Sequence, residues 1–393
     1  MRITPLPSQR KTGHGGRRLC GWLALLAPLA ITALLIPSPG EAFELRGFGD
    51  VTFTKSDAPG SDVPGATDHH GSFTLGQVDL YITQPVSDHI DLLAELSIES
   101  DPSTSETTID VERLQISYQA KNWLVVRAGR FHNILGYWNI TFHHGRQIQT
   151  TIDRPRMLAF EDRGGFLPIH LVGLWVGGYV PAGPMLLDYG VMAGNGPKIT
   201  GVNSPLGGSL DPNNISDNSG NKAVSFELTL HPMALHNAGV GICGNFSRIE
   251  GFDNTTGHQV ANVNQQILCG EAHYVTESLE LLAEYYALFD QDKWTTKLGH
   301  FINHSWYAQA AYTFAGRYVP YVRYEHTSVD EGDPYMTMLN IVDTFRTILG
   351  FRYNLSAASS LKAEARFVSN PAPTGNALAG NGHEFAVQWS FWF

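Results

Sequence analysis

Residues 383–393 read HEFAVQWSFWF, and from Phe385 every second side chain, through Val387, Trp389, Phe391 and Phe393, is large and apolar. Between them stand Ala386, Gln388, Ser390 and Trp392. A period of two with one apolar face marks a half-buried strand. A soluble domain seldom leaves such a segment at its end, because chain ends fray into water. An aromatic comb ending a chain of formal net charge −11 therefore implies an apolar medium beside the last strand.

The other end points to export. Arg2, Arg10, Lys11, Arg17 and Arg18 precede the apolar run WLALLAPLAITALLI, and PSPGEA then offers small residues at Gly40 and Ala42 before Phe43. This is the pattern of a cleaved signal segment over 1–42. The run, Trp22 to Ile36, is shorter than the roughly 20 apolar residues of a spanning helix, and no later stretch reaches that length. Subtracting the 5 basic and 1 acidic residues of 1–42 from 26 and 37 leaves 21 and 36, a net of −15 for the mature chain. That balance excludes a general nucleic-acid partner. Only Cys243 and Cys269 remain, too few for a disulfide scaffold, and no haem or zinc cysteine motif occurs, so no cofactor is expected.

Alternation recurs along the mature chain. In HIDLLAELSIES, Ile90, Leu92, Ala94, Leu96 and Ile98 oppose Asp91, Glu95, Ser97 and Glu99; in LKAEARF, Leu361, Ala363, Ala365 and Phe367 oppose Lys362, Glu364 and Arg366. Sixteen strands follow, near 44–54, 72–84, 89–99, 110–120, 123–130, 171–181, 184–194, 221–232, 238–249, 264–275, 279–290, 304–314, 317–328, 343–354, 359–370 and 383–393. Each is close to the 9–11 residues or so that cross a bilayer as a tilted strand.

A soluble sandwich also alternates, so the connections decide. Seven short turns alternate with eight longer polar loops, at 55–71, 100–109, 131–170, 195–220, 250–263, 291–303, 329–342 and 371–382. That order suits an even-stranded barrel with both termini in the periplasm. The fold class is all-β: a transmembrane antiparallel β-barrel of about sixteen strands over 43–393, its long third loop folded into the pore. The last strand turns its aromatics to lipid and zips against the first, ELRGFGDVTFT.

A signal segment, sixteen alternating strands and a terminal Phe behind alternating aromatics resemble the bacterial outer-membrane porins. Within that family, VVRAGRFHNILGYWN and RMLAFEDRGG are similar to the phosphate-selective porins O and P; no substrate is assigned from that likeness. The resemblance implies a Gram-negative outer-membrane location, a homotrimer, and passive diffusion of small hydrophilic solutes or ions. It also makes Phe385, Val387, Trp389, Phe391 and Phe393 a signal for the barrel-assembly machinery. Loop 131–170 becomes the constriction, carrying His132, His143, His144, Arg146, Arg154, Arg156 and Arg163 against Asp153, Glu161 and Asp162. These charges either set ion preference or pair with each other and brace the loop.

By alternation, Arg113, Arg127, Arg317, Arg323, Arg346, Arg352, Lys362 and Arg366 face inward. The acidic inward positions are Asp79, Asp91, Glu95, Glu99, Glu227, Glu271, Glu280 and Glu284, mostly on other strands. Either a transverse field or a generically polar lumen results, with modest anion preference expected from the loop arginines. Adjacent histidines on an extended chain point apart, so His69–His70, His143–His144 and His300 with His304 make no expected metal site. Cys243 and Cys269 sum to 512 about a loop centred near 256–257, so they face each other, as a disulfide or as two thiols. Asn303, His304 and Ser305 are consecutive on a strand and form no relay, so an outer-membrane hydrolase is disfavoured and no enzyme is expected. A barrel surrounding an exported electron-transfer cytochrome is the alternative to an open channel.

Overall fold

In the computed structural model, the described residues are 43–58, 70–101, 106–143, 145–159, 165–202, 209–211, 216–217, 219–235, 237–253, 255–293, 299–371 and 378–393. The expected export segment 1–42 lies outside them, as do His69, His144, Glu161, Asp162 and Arg163.

The strands are β1 (Glu44–Ser56), β2 (Gly71–Ser87), β3 (Ile90–Asp101), β4 (Glu106–Lys121), β5 (Leu124–His132), β6 (His170–Ala182), β7 (Met185–Asn195), β8 (Lys198–Val202) and β9 (Ser209–Asp211). They continue as β10 (Ala223–Pro232), β11 (Ala238–Asp253), β12 (Gln259–Val275), β13 (Leu279–Asp292), β14 (His300–Tyr312), β15 (Tyr318–Ser328), β16 (Thr344–Ser356), β17 (Ser359–Asn370) and β18 (Gly380–Trp392). Two short helices, α1 (Tyr137–Thr141) and α2 (Pro334–Met338), lie in connections. No helix among the described residues is long and apolar enough to cross a membrane.

β7 pairs directly with β10, so β8 and β9 form a small hairpin in the intervening connection, with β8 set parallel to β11 at Gly251 and Asp253. Eighteen strands less these two leave sixteen in the wall. Each wall strand pairs antiparallel with both neighbours, and β18 pairs with β1 from Phe48↔Trp392 to Ser56↔Glu384, closing the ring. Closure leaves no unpaired edge among backbone groups that lipid cannot hydrate.

The outer face is apolar, and the terminal comb shows how it is built. Phe385, Val387, Trp389, Phe391 and Phe393 are all exposed, while Ala386, Gln388 and Ser390 are buried on the inner side. The rings of Phe391 and Phe393 cover Gly49 and Gly47 of β1, where a Cβ would overlap them. The backbone of Phe393 exchanges two hydrogen bonds with Gly47, at 2.8 and 2.9 Å.

Some limits differ from the sequence expectation. β4 starts at Glu106 and β12 at Gln259, so the second and fifth loops shrink to 102–105 and 254–258. There the ladder continues on polar residues beyond the apolar alternation, because pairing persists wherever two chains run side by side. Alternation also slips once with consequence. Glu95 opposes Arg113 but Leu96 opposes Val111, so Glu112 bulges out of the β3–β4 ladder. Val111 and Leu114 both face outward, and buried Glu112 and half-buried Arg113 stand side by side between them.

Two glycines are conformationally required near the third loop. Gly129 on β5 has φ 135°, and a Cβ there would overlap the carbonyl of Leu114. Gly136, at φ 79°, precedes α1 and lies against Glu284 and Tyr286. Gly129→Ala should cost about 2 kcal/mol or more, since strain at such a φ adds to the overlap. Gly270→Ala, whose Cβ would meet only Gly241 O at 3.9 Å, should stay within about 0.5 kcal/mol of the parent. Urea unfolding in lipid, followed by heat-modifiable mobility, checks both.

Candidate functional site

The connection from β5 to β6, residues 133–169, is anchored on two sides. Its apolar side supplies Leu135, Trp138, Met157, Leu158, Phe166 and Ile169 to one cluster with Ile249, Val263, Ile267, Leu282, Leu288 and Tyr307 of β11–β14. Inward positions on those strands are therefore not uniformly polar. A carboxyl group closes this side: Glu284 accepts from Trp138 N at 2.7 Å and from Tyr307 OH at 2.9 Å, and also from Tyr286 OH. From α2, Tyr335 OH donates to Phe166 O at 2.5 Å.

The other side is polar. An irregular segment leaves carbonyls that neither helix nor sheet satisfies, and those groups need donors. Lys and Arg only donate. Lys362 Nζ bonds Gln149 O at 3.0 Å, Thr151 O at 2.9 Å and Arg146 O. Arg323 reaches Thr151 Oγ1 and Asp153 O, each at 2.9 Å, and Arg154 O at 3.2 Å. Arg352 Nη1 reaches Gln149 O at 2.9 Å. Acceptors on the strands complete the bed: Glu364 takes Ile152 N at 2.7 Å, Glu325 takes Arg156 N at 3.2 Å, and Glu280 takes Thr150 Oγ1 at 2.9 Å. Gln147 Oε1 accepts from Ser360 and Ser390.

Asp153 is the hub. Its carboxylate meets Arg366 Nη2 at 2.7 Å and Arg146 Nη1 at 3.0 Å. Desolvation raises its pKa, but Arg366, Arg146, Arg346 and Arg323 outweigh that and hold it well below the usual aspartate range. Two-fifths of its side chain remains exposed, so the guanidinium groups rather than simple burial set the direction.

These contacts revise the expected wall. Arg323, Arg346, Lys362 and Arg366 are buried, and Arg323 is fully enclosed. Nor is this wall one-signed, because Glu325, Glu364 and Glu384 pair with Arg323, Arg346 and Arg366 at 2.7–3.8 Å. Arg317 is not on the wall at all. The tight turn Phe314–Tyr318, with Ala315 and Gly316 at positive φ, takes it up and leaves it exposed before β15. Arg127 lies over the Trp175 ring at 4.0 Å, and Arg113 pairs with Glu95. Of the loop arginines, Arg154 is buried and Arg146 and Arg156 are half-buried.

Between the loop and the strands opposite its bed lies a cavity of about 370 Å³, its lining including Arg46, Tyr81 and Arg113 on the wall and Phe142, His143 and Ile148 on the loop. Glu44, His132 and Ile140 also line it. Cys243 and Cys269 are ladder partners on the inner face and form a disulfide. His132 and His143 come together with His170, which sequence reasoning missed because 37 residues separate the ladder partners His132 and His170. Glu112 was missed because strict alternation assigns it no inward place beside Arg113; the three-residue step from Val111 to Leu114 was its signal.

No protein-family model matches the chain, and no curated protein does. Solved structures do match in fold. The outer-membrane channel DcaP of Acinetobacter baumannii aligns at TM-score 0.60 with 13% identity, covering 91% of this chain and 99% of that one. The anion-selective porin from Comamonas acidovorans aligns at 0.57 with 12% identity, covering 90% and 100%. OmpF of Salmonella typhi, in complex with daunomycin, aligns at 0.58 with 11% identity, covering 90% and 98%.

Lys362→Met removes a donor shared by three main-chain carbonyls, of which Gln149 O keeps Arg352 and Thr151 O keeps Gln149 Nε2, and should loosen the loop by about 1–2 kcal/mol while the barrel persists. Trypsin cleavage after Arg146 or Arg156 in the folded chain reads it; the Arg154–Pro155 bond resists trypsin. Because the Asp153 pKa is depressed, its stabilising contribution is present in full above the ordinary value of about 3.9 and is lost progressively as pH falls from there toward the lower folded value. Trypsin cannot read this at low pH; pepsin digestion at pH 4 and pH 2 can, with the loop resisting at the first and yielding at the second. A sixteen-stranded closed barrel, apolar outside and carrying one long connection bonded to its inner side chains, has the fold of the bacterial outer-membrane porins.

Proposed function

We propose that this chain is an outer-membrane porin whose third loop folds into the barrel and narrows a diffusion path for small hydrophilic solutes and ions. The observation that carries the reading is the loop itself. It is bonded to β13–β18 on one side and faces a cavity of about 370 Å³ toward β1–β4 on the other. A loop so held leaves the path on the opposite side, between its residues 140–148 and the wall bearing Arg46, Tyr81 and Arg113.

This moves the filter. Arg146, Arg154 and Arg156, with Arg323, Arg346, Arg352, Lys362 and Arg366, serve to brace the loop. The charged groups lining the cavity are Arg46, Arg113 and Glu44; Arg46 pairs with Glu44, and Arg113 presents its guanidinium to the path with its partner Glu95 fully buried behind it. Low-dielectric walls focus the field of even a few charges, so a modest anion preference follows. The comb Phe385–Phe393 fits the role of assembly signal, and the family likeness supports a trimer. The path needs no catalytic group. On β14, Asn303 and Ser305 are buried inward, whereas His304 bonds Tyr285 OH at 2.6 Å among exposed outer residues, which argues against a hydrolytic relay. A cytochrome-filled barrel is disfavoured because the loop's own apolar cluster occupies the inner side of β11–β14.

Planar-bilayer recording of the refolded protein across a KCl gradient tests the reading. Discrete steps with a small chloride-directed reversal potential are expected, and Arg113→Glu should shift it toward potassium. A correctly folded barrel without steps overturns the channel; steps unmoved by Arg113→Glu overturn the filter.

A further inference from the structure

The geometry points to a transition-metal site on the cavity side of the third loop, formed by His132, His143 and His170, with the carboxylates of Glu112 and Glu95 beside them. His132 ends β5 and His170 begins β6 as its ladder partner; His143 arrives from the loop, just beyond α1. The rings crowd together, with centroids 3.9 Å apart for His132–His143, 4.5 Å for His143–His170 and 5.3 Å for His132–His170. One ligand nitrogen from each lies within 4.8 Å of the others.

The carboxylates stand beside the rings. Glu112 Oε2 is 3.1 Å from His170 Nε2, and Glu95 Oε2 is 3.8 Å from His132 Nε2. Metal–ligand bonds of about 2.0–2.1 Å place tetrahedral ligands roughly 3.4 Å apart, so Glu112 stands at the range of a fourth ligand, while Glu95 Oε2, which also accepts from Arg113 Nε, stands behind His132 as an outer partner. Asn139 Oδ1 lies 2.8 Å from His143 Nδ1 and, by accepting from an Nδ1–H, aims Nε2 at the cluster. Such an orienting partner is the usual companion of a ligating imidazole. Loading the ion puts the His170 proton on Nδ1 and displaces Arg130 Nη2 from its 3.4 Å contact there; Arg130 Nε keeps its bond to Glu112 O.

Burial and access both fit. His143, His170 and Glu112 are at most 9% exposed, and Glu95 is fully buried. Three imidazoles this close repel one another if protonated, and two buried carboxylates add negative charge that Arg113 and Arg130 share. A divalent cation suits the neutral rings and the acids together. His132 and His143 line the cavity, which gives the ion an entry. Imidazole with carboxylate selects zinc, copper or nickel over magnesium or calcium, which favour all-oxygen sites. Because His143 belongs to the loop and its partners to the wall, occupancy ties the loop's near edge to β5 and β6.

Calorimetric titration of the refolded chain with ZnCl₂, beside CaCl₂, tests the site. One Zn²⁺ per chain is expected, with Ca²⁺ at least a hundredfold weaker. His143→Ala, a loop change that spares the wall, and His170→Asn should each weaken zinc by about a hundredfold or more, and Glu112→Gln by about tenfold. His300→Ala with His304→Ala should leave it unchanged. Heat-modifiable mobility confirms that each variant is folded. Absence of zinc uptake, equal calcium affinity, or full uptake by folded His143→Ala overturns the site and leaves a hydrogen-bonded brace. Because the readout is binding, a conducting protein that takes up no zinc overturns this inference alone.

Discussion

Everything in this structure depends on the β1–β18 pairing. Lipid offers no partner for a peptide group, so a membrane-crossing sheet must end where it began. The sixteen wall strands, the outward apolar face and the strict hairpin order are consequences of that closure. The seam is shaped for it: β1 presents Gly47 and Gly49, and β18 lays Phe393 and Phe391 over them. Backbones bond while the aromatics restore an apolar surface that β1 itself lacks there.

Inside, the same requirement returns in another form. The long connection bonded to inward side chains carries carbonyls that neither helix nor sheet satisfies, and the wall supplies their donors. Lys362, Arg323 and Arg352 do so, while Asp153 gathers Arg146 and Arg366. Burying such charges is costly unless they are paired and hydrogen-bonded. Glu325, Glu364 and Glu384 meet that condition from the same strands. The interior thus combines an apolar cluster on β11–β14 with an ionic bed on β13–β18, and the loop is held by both.

How much of this was legible in residues alone follows from which groups have letters. Period two dominates the wall strands and breaks only locally at bulges such as that at Glu112, so the barrel and its hairpins were readable from segments such as LKAEARF. The facing of Cys243 and Cys269 was readable too, since a short hairpin makes register a matter of arithmetic. The role of Lys362 was not. Its partners are main-chain carbonyls of residues 146, 149 and 151, and a carbonyl leaves no mark in a sequence, so the donor was taken for pore lining. Arg317 was misplaced by one turn residue, and Glu112 by one bulge. The meeting of His132 with His170 needed the path of a long loop, which no local period encodes.

The closing seam also bears on how the molecule comes into being. Phe48 and Trp392 are ladder partners separated by 392 − 48, or 344, residues, whereas most other wall pairings join neighbours in the chain. Loop-closure entropy grows with separation and falls on this one contact, so ring completion is the step with least local assistance. Until it happens, β1 and β18 are two open edges of one sheet, each a template for another chain. A nascent barrel is therefore most exposed to misassociation at its own two ends, and its last eleven residues arrive as the piece that removes the hazard.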